Sequence, residues 1–443
     1  MIYYTIQYDL YTYLVWSISA VALVALFLVS MYYFSMWSLS GKPVQKIPHS
    51  DKLSRFAVLI AARDESKVIA GILNSLKNQT YNPKYFDVWV IVESEDDPTV
   101  QIVKLFGYNY FVRDEITPLR KTKGFALQEC IRHFDKEGIE YDAYMIFDAD
   151  NIIENCYLEA MNDLRQTGVK VGLGYRAFTN ANHNWLTACS AIMFTYMNQV
   201  TGRGRSILFH KMTLMGTGYY VDSDIIKDAG GWIFTGMTED IQLSSYCYYH
   251  DVYMSYYPLV HFYDEQAADF KTVHTQHIRW VSGYLEKRKK LQIAGKNYDY
   301  HTKSVQRLML FDFKYGLVPF IIFNVVCIIL AIADLVLGIF SVYQQQGAYR
   351  IGIIFANFGY QLFILLFIFA IPAAIVLYRE NKVLKLSKGL CLISLLTYGL
   401  FFYDFAFAFL DGLFHPSKKR NWKKVDHSGE ITNEHAEKAN ANE

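Results

Sequence analysis

Residues 143–150 read Ala-Tyr-Met-Ile-Phe-Asp-Ala-Asp, an apolar run that stops abruptly at Asp148 and Asp150. A run this short and apolar, ended by charge, predicts a strand buried on both faces of an α/β sheet. In open sheets of that class ligands collect at the carboxyl ends of strands, where these two acids fall. Carboxylates at i and i+2 can face a common ion once the chain leaves the pleat. Hard cations such as Mg2+ or Mn2+ take few protein carboxylates and complete their shell with water and phosphate oxygens. Taken alone, the triplet more often marks turn acids capping a strand-to-helix link, so its neighbours decide its meaning.

Working outward, Phe56–Ala62 and Phe86–Val92 read as two more buried strands, and both run into acids: Ala62-Arg63-Asp64-Glu65 and Glu93-Ser94-Glu95-Asp96-Asp97. Val68, Ile69, Ile72, Leu73 and Leu76 recur at helical spacing, so short apolar runs alternate with amphipathic helices across the polar middle of the chain, residues 50–300.

That middle is framed by apolar sequence. Of 443 residues 52% are hydrophobic and 16% aromatic, which excludes disordered and fibrous classes and places part of the chain in lipid. Lys and Arg number 43 against 42 Asp and Glu, so the basic excess of a nucleic-acid binder is missing. Cys130, Cys156, Cys189, Cys247, Cys327 and Cys391 are widely spaced and read as reduced thiols. Tyr13–Leu39 exceeds the ~20 apolar residues that cross a bilayer and lacks a cleavage site, so it reads as a retained anchor. No Lys or Arg precedes residue 42, whereas Lys42, Lys46, Lys52 and Arg55 follow, placing the amino terminus outside and the polar middle in the cytoplasm. Stretches 315–342, 351–378 and 389–414 are each long enough to span. Basic residues flank the last on both sides, Lys382, Lys385 and Lys388 before it and Lys418, Lys419, Arg420, Lys423 and Lys424 after it, so 389–414 is expected to be interfacial or re-entrant. Asn324, Asp334, Asn357, Gln361, Asp404 and Asp411 lie in or beside apolar stretches and suit either a polar conduit or helix–helix hydrogen bonding.

Four further motifs follow in order: Lys123-Gly124-Phe125-Ala126-Leu127, Met215-Gly216-Thr217-Gly218, Thr238-Glu239-Asp240 and Gln276-His277-Ile278-Arg279-Trp280. With Asp148-Ala149-Asp150, this set resembles the membrane-integrated family 2 glycosyltransferases, which include cellulose, chitin, hyaluronan and poly-N-acetylglucosamine synthases. The resemblance covers residues 50–300 and the membrane frame. It implies an α/β, Rossmann-like GT-A domain inserted between an N-terminal transmembrane helix and C-terminal transmembrane helices. The divisions are an anchor and linker (1–49), the catalytic domain (50–268), interface helices with the Gln-x-x-Arg-Trp motif (269–314), a membrane region (315–414) and a polar tail (415–443).

Carried over motif by motif, the resemblance puts Ala62, Arg63, Asp64, Glu93 and Lys123 at the nucleotide, and Asp148 and Asp150 at a Mg2+ or Mn2+ ion on the diphosphate. Arg279 then contacts the diphosphate, Asp240 with Glu239 beside it supplies the general base, and Trp280, Gly216, Thr217 and Gln276 meet the acceptor. Two departures concern the nucleotide-base contacts: the second strand ends in Glu-Ser rather than Asp-Asp, and no proline precedes Arg63. The chemistry is consistent with these roles. A leaving nucleoside diphosphate gathers negative charge that a cation stabilises most in the transition state, and a carboxylate can accept the proton of an attacking hydroxyl. Direct displacement of an α-linked sugar gives a β-linkage.

Residues 271–290 mix Lys271, Arg279, Lys287, Arg288, Lys289 and Lys290 with apolar residues and suit a helix lying along the cytoplasmic membrane surface, a plain solvated helix being the competing reading. His210, His261, His274 and His277 form no zinc pattern and read as satisfied or surface histidines. The resulting expectation is a multi-pass enzyme of the plasma (inner) membrane that moves a hexose from a UDP-sugar, UDP-glucose first and UDP-N-acetylglucosamine second, to a growing β-linked polysaccharide and exports it. It would need no nucleic acid and could work with an accessory export or regulatory protein. A non-processive enzyme acting on a membrane lipid is the same-class alternative, and a nucleotide-sugar-binding scaffold the alternative of another class.

Overall fold

The computed structural model describes residues 30–114, 116–117, 120–290 and 369–414, with isolated helical positions at 17, 24, 27 and 359. Its centre is an eight-stranded mixed sheet. Strands β1 (Phe56–Ala61), β2 (Phe86–Val92), β3 (Asn109–Val112), β4 (Ala143–Asp148), β5 (Ile152–Ile153), β6 (Val171–Phe178), β7 (Tyr219–Asp222) and β8 (Met254–Asp264) lie in the order β3-β2-β1-β4-β7-β6-β8-β5.

The first half, β3-β2-β1-β4, is parallel. Phe56–Ile60 are wholly buried, as a strand covered on both faces demands. Register decides what the edge presents: Ala61 pairs with Ile91 on one side and Asp148 on the other, so three adjacent strands end together. β7 then runs antiparallel to both β4 and β6, and brings the loop before it back over the end of β4.

Crossover helices cover the parallel half: α2 (Ile69–Lys77), α3 (Pro98–Phe106) and α4 (Lys123–Glu137). Ile69, Ile72, Leu73 and Leu76 form the buried face of α2. Asp97 caps α3 by accepting from Thr99 N, with Pro98 opening the helix. Thr122 caps α4 in the same way through Phe125 N, which places Lys123 at its first turn. The second half carries α5 (Tyr157–Gln166), α6 (Trp185–Met197), α7 (Arg205–Phe209), α8 (Ser223–Asp228) and α9 (Glu239–Tyr249), with a π-helical turn at Asn198–Gly204.

Beyond the sheet, α10 (Phe270–Lys290) packs against the long helix α12 (Lys388–Phe414), while α6 packs against α12 and α11 (Ala370–Leu384). Residues 30–40 form the described end of a further helix, α1, and Arg379 of α11 donates to the Trp37 and Ser40 carbonyls at its carboxyl end. Among the described residues, α12 is the one helix long and apolar enough to cross a membrane: its 24-residue span Lys388–Asp411 has mean hydropathy 1.7 and leaves Leu392, Leu396, Leu400 and Phe407 exposed. At 1.5 Å per residue that span reaches about 36 Å, enough for a hydrocarbon core of about 30 Å. It is one uninterrupted helix and does not fold back as a re-entrant segment would. Among the described residues no amino-terminal span of that length is paired with it. Most of the expected anchor Tyr13–Leu39, the stretch 315–342, most of 351–378 and the tail 415–443 lie outside the described residues.

Candidate active site

Asp148 is the last residue of β4, and its carboxylate Oδ1 lies 2.5 Å from Lys123 Nζ, which also donates to the Gly216 carbonyl at 2.9 Å. Burial works against the Lys123 ammonium, but Asp148, Glu239 and Asp240 outweigh it and hold its pKa above the ordinary lysine value. The strand end is clamped from below. Asp148 N donates to Thr217 Oγ1 (2.9 Å) and Asn151 Oδ1 (3.1 Å), and the Thr217 hydroxyl donates to Asn151. Thr217 is fully buried, so its side chain serves this clamp and offers no surface to an acceptor.

Asn151 Nδ2 reaches Asp264 Oδ1 at 2.9 Å and Asp150 Oδ1 at 3.4 Å. Carboxylate oxygens of Asp148, Asp150 and Asp264 all lie within 4.8 Å of one another, an all-oxygen donor set that fits a hard divalent cation. Asp264 is the member that sequence reasoning missed. It closes β8 as Asp148 closes β4, so the same cue, an acid at the end of an apolar strand, was present. Arg176 donates to its Oδ2 through Nε (3.1 Å) and a terminal nitrogen (2.5 Å), and Gln266 adds a third donor at 2.6 Å. Burial raises the Asp264 carboxyl above the usual range, with Arg176 opposing.

Asp240 and Glu239 occupy the first turn of α9, where the helix dipole favours carboxylates. Both are buried, and burial raises both above the ordinary carboxyl range, Glu239 to about 8. Lys123 and Arg279 oppose the rise at Asp240, while Asp148 adds to it. Gly216 faces this carboxylate. Its φ of +88° belongs to the left-handed region, and a Cβ built on it would sit 4.0 Å from Asp240 Oδ2. Ser244 holds the two segments together, donating to Asp240 O (2.8 Å) and accepting from Leu214 N (2.9 Å).

Gln276, Arg279 and Trp280 lie on α10, each half-buried. Gly283, one turn on, lets α10 close on Thr238: a Cβ there would meet Thr238 Cγ2 at 2.6 Å. Trp280 meets Phe194 edge-on at 5.7 Å and stacks on Phe405 at 6.3 Å. Phe194 lies 3.8 Å beneath the Arg176 guanidinium, so a continuous path of packed groups joins Asp264 to Trp280.

The remaining expected residues collect at the ends of β1 and β2. Ala62 N donates to Ile91 O at 2.9 Å. Asp64 takes a left-handed φ of +58° and its N–H donates to Asp97 at 2.8 Å. Glu93 lies 3.3 Å from Arg63 and 3.8 Å from Arg113, which also pairs with the buried Glu129 at 2.9 Å. Glu93 thus faces two arginines.

Residues 54–283 match the model of the family described as glycosyltransferase like family 2. The chain is 25% identical over 240 residues to the beta-monoglucosyldiacylglycerol synthase of Trichormus variabilis, covering 51% of this chain and 48% of that one. It is 22% identical over 394 residues to a poly-beta-1,6-N-acetyl-D-glucosamine synthase of Staphylococcus epidermidis, covering 81% and 91%. The chain spans about half the length of the curated relatives it matches through the catalytic half alone. Among solved structures, the mannosyltransferase PcManGT from Pyrobaculum calidifontis, in complex with GDP-Man and Mn2+, shares the fold at a TM-score of 0.54 and 14% identity, covering 90% of this chain and 97% of that one.

Proposed function

The chain belongs to the glycosyltransferase like family 2, and from that premise we propose that it transfers a hexose from a UDP-sugar, with inversion, to a growing polysaccharide at the cytoplasmic face of the plasma membrane. The observation that carries this reading is the convergence of Lys123, Asp148 and Gly216 with the Asp240 carboxylate.

Asp148, Asp150 and Asp264 fit a Mg2+ or Mn2+ ion, which when bound would neutralise the diphosphate oxygens. Lys123, whose ammonium is held charged by its carboxylate neighbours, adds positive charge where the diphosphate departs, and Arg279 does so from α10. Asp240 accepts the proton of the attacking hydroxyl. Burial raises its pKa and makes it a stronger base than an exposed aspartate, with Lys123 and Arg279 opposing that rise. Trp280 offers an aromatic face to the acceptor sugar, and the apolar helix α12 packed behind α10 supports a seat at the membrane.

UDP-glucose is the first donor to try and UDP-N-acetylglucosamine the second. Likeness to the poly-N-acetylglucosamine synthase along most of both chains supports a polymer product. Likeness to the diacylglycerol glucosyltransferase through the catalytic half supports a second reading, a single transfer to a membrane lipid. Purified full-length protein given each radiolabelled donor and Mn2+ separates them: a ladder of lengthening saccharide supports the polymer, and a uniformly single-sugar glycolipid overturns it.

A further inference from the structure

Asp404 sits in the second half of α12 and is 2% exposed. A carboxylate buried on an apolar helix is costly unless its oxygens are satisfied, and such residues commonly serve function. Both oxygens are taken, by different residues of α10: His274 Nδ1 lies 2.6 Å from Oδ1 and His277 Nδ1 lies 2.7 Å from Oδ2. Against an ionised carboxylate, which only accepts, each imidazole donates through Nδ1. His274 Nε2 turns to Asp411, 3.6 Å away and two helical turns along α12 from Asp404.

His277 is the hub. Its ring stacks on Phe405 at 3.8 Å, meets Phe401 edge-on at 5.2 Å and leans on Trp280 at 5.3 Å. Trp280 itself rests on Phe405. Apolar packing of two helices tolerates rotation because it is non-directional. Two hydrogen bonds from residues one turn apart to a single carboxylate do not: they fix the angle of α10 about its own axis. That angle sets where Arg279 and Trp280 point.

We propose that Asp404 is a positioning residue for the acceptor site, holding His274 and His277 so that α10 presents Trp280 and Arg279 towards Asp240. The proposal rests on the reading of Trp280 as the acceptor platform. An apolar residue at 404 would strand two imidazole N–H groups, one of them on the 1% exposed His277. Asparagine offers one acceptor oxygen and would satisfy one histidine of the two.

The test uses full-length protein in phosphatidylglycerol vesicles, with UDP-glucose and UDP-N-acetylglucosamine as donors and cellotetraose, chitotetraose and vesicle diacylglycerol as acceptor probes. Asp404→Asn should raise KM for the acceptor probe that the wild type uses about tenfold, a larger change than any in KM for the donor or in its hydrolysis by water, which feel the α10 angle through Arg279 alone. Asp404→Glu, which restores two acceptor oxygens, should recover part of the loss. Combined with Trp280→Ala, Asp404→Asn should add little, because both act on one platform. An unchanged acceptor KM, or full additivity with Trp280→Ala, overturns the proposal. Should Asp404→Leu fail to bind UDP, and so to fold, the asparagine variant decides alone. A wild type that releases UDP from neither donor sinks the UDP-hexose reading and this inference with it, whereas an active wild type beside an unaffected Asp404→Asn sinks this inference only.

Discussion

Lys123 Nζ lies 2.5 Å from Asp148 Oδ1 and 2.9 Å from the Gly216 carbonyl, so one ammonium joins the end of β4 to the loop that faces Asp240. Lys123→Met removes the charge and keeps much of the bulk. It should lower kcat/KM for the UDP-sugar at least about 100-fold, the scale seen when a preorganised charge leaves an active site. With Lys123 gone, the Asp240 carboxyl rises further, so the acid limb of the pH–rate profile should move up. UDP release measured across pH checks both; an unshifted limb would detach Lys123 from Asp240.

The cluster of Asp148, Asp150 and Asp264 predicts activity that is lost on chelation and restored by Mn2+ or Mg2+. Asp148→Asn and Asp150→Asn should each weaken Mn2+ binding at least about tenfold, read by electron paramagnetic resonance without any turnover. Asp264→Asn should cost stability as well, on the order of 3 kcal/mol, because it leaves the buried Arg176 guanidinium short of its charge partner. Equal Mn2+ affinity in all three variants and the wild type would argue against the site.

Glu239 predicts a pH dependence of stability. Burial, with Asp240 beside it, lifts this carboxyl from its ordinary 4.5 to about 8 in the folded protein. A group raised on folding contributes stability that is fully present below its unfolded pKa and lost as pH climbs through the folded one. Relative to Glu239→Gln, the metal-free wild type should therefore lose thermal stability between about pH 5 and pH 8. Melting curves of both proteins across that window check the sign, and parallel curves would contradict it.

Gly283 tests the seam between α10 and the turn that carries Glu239 and Asp240. A Cβ there would stand 2.6 Å from Thr238 Cγ2 and 2.8 Å from its Oγ1, and a β-branched side chain has little room to turn away. Gly283→Ala should cost about 1–3 kcal/mol of stability and push α10 off its seat. Transfer to acceptor should fall more than hydrolysis of donor by water. Equal losses in both would place the seam outside acceptor binding.

Much of this architecture was legible in the sequence because parallel strands covered on both faces announce themselves. Phe86–Val92 has the expected bounds, and β1 and β4 differ from expectation by one residue at the carboxyl end. There the chain is already leaving the sheet, so Asp148 still pairs with Ala61 whereas Ala62 makes only a backbone bond to Ile91. Less could be read where partners come from distant segments. Asp264 stands 114 residues after Asp150 and reaches it because β8 pairs with β5, Ile152 standing opposite Tyr263, a pairing that local patterning does not contain. The resemblance puts Thr217 at the acceptor, whereas its side chain is buried and bonds Asp148 N and Asn151. His274 and His277 carried no metal spacing and read as satisfied or surface histidines; both bond a carboxylate more than 120 residues away.

The central claim is that Asp240 takes the acceptor's proton opposite a metal-bound diphosphate, and Asp240→Asn addresses it most directly. The substitution keeps the shape of the pocket and removes the base. UDP binding in the presence of Mn2+ and sugar transfer from UDP-glucose or UDP-N-acetylglucosamine would be measured on the same preparation. The account predicts UDP affinity within about twofold of the wild type and transfer reduced at least about 100-fold. Transfer at the wild-type rate by a variant that still binds UDP would contradict it.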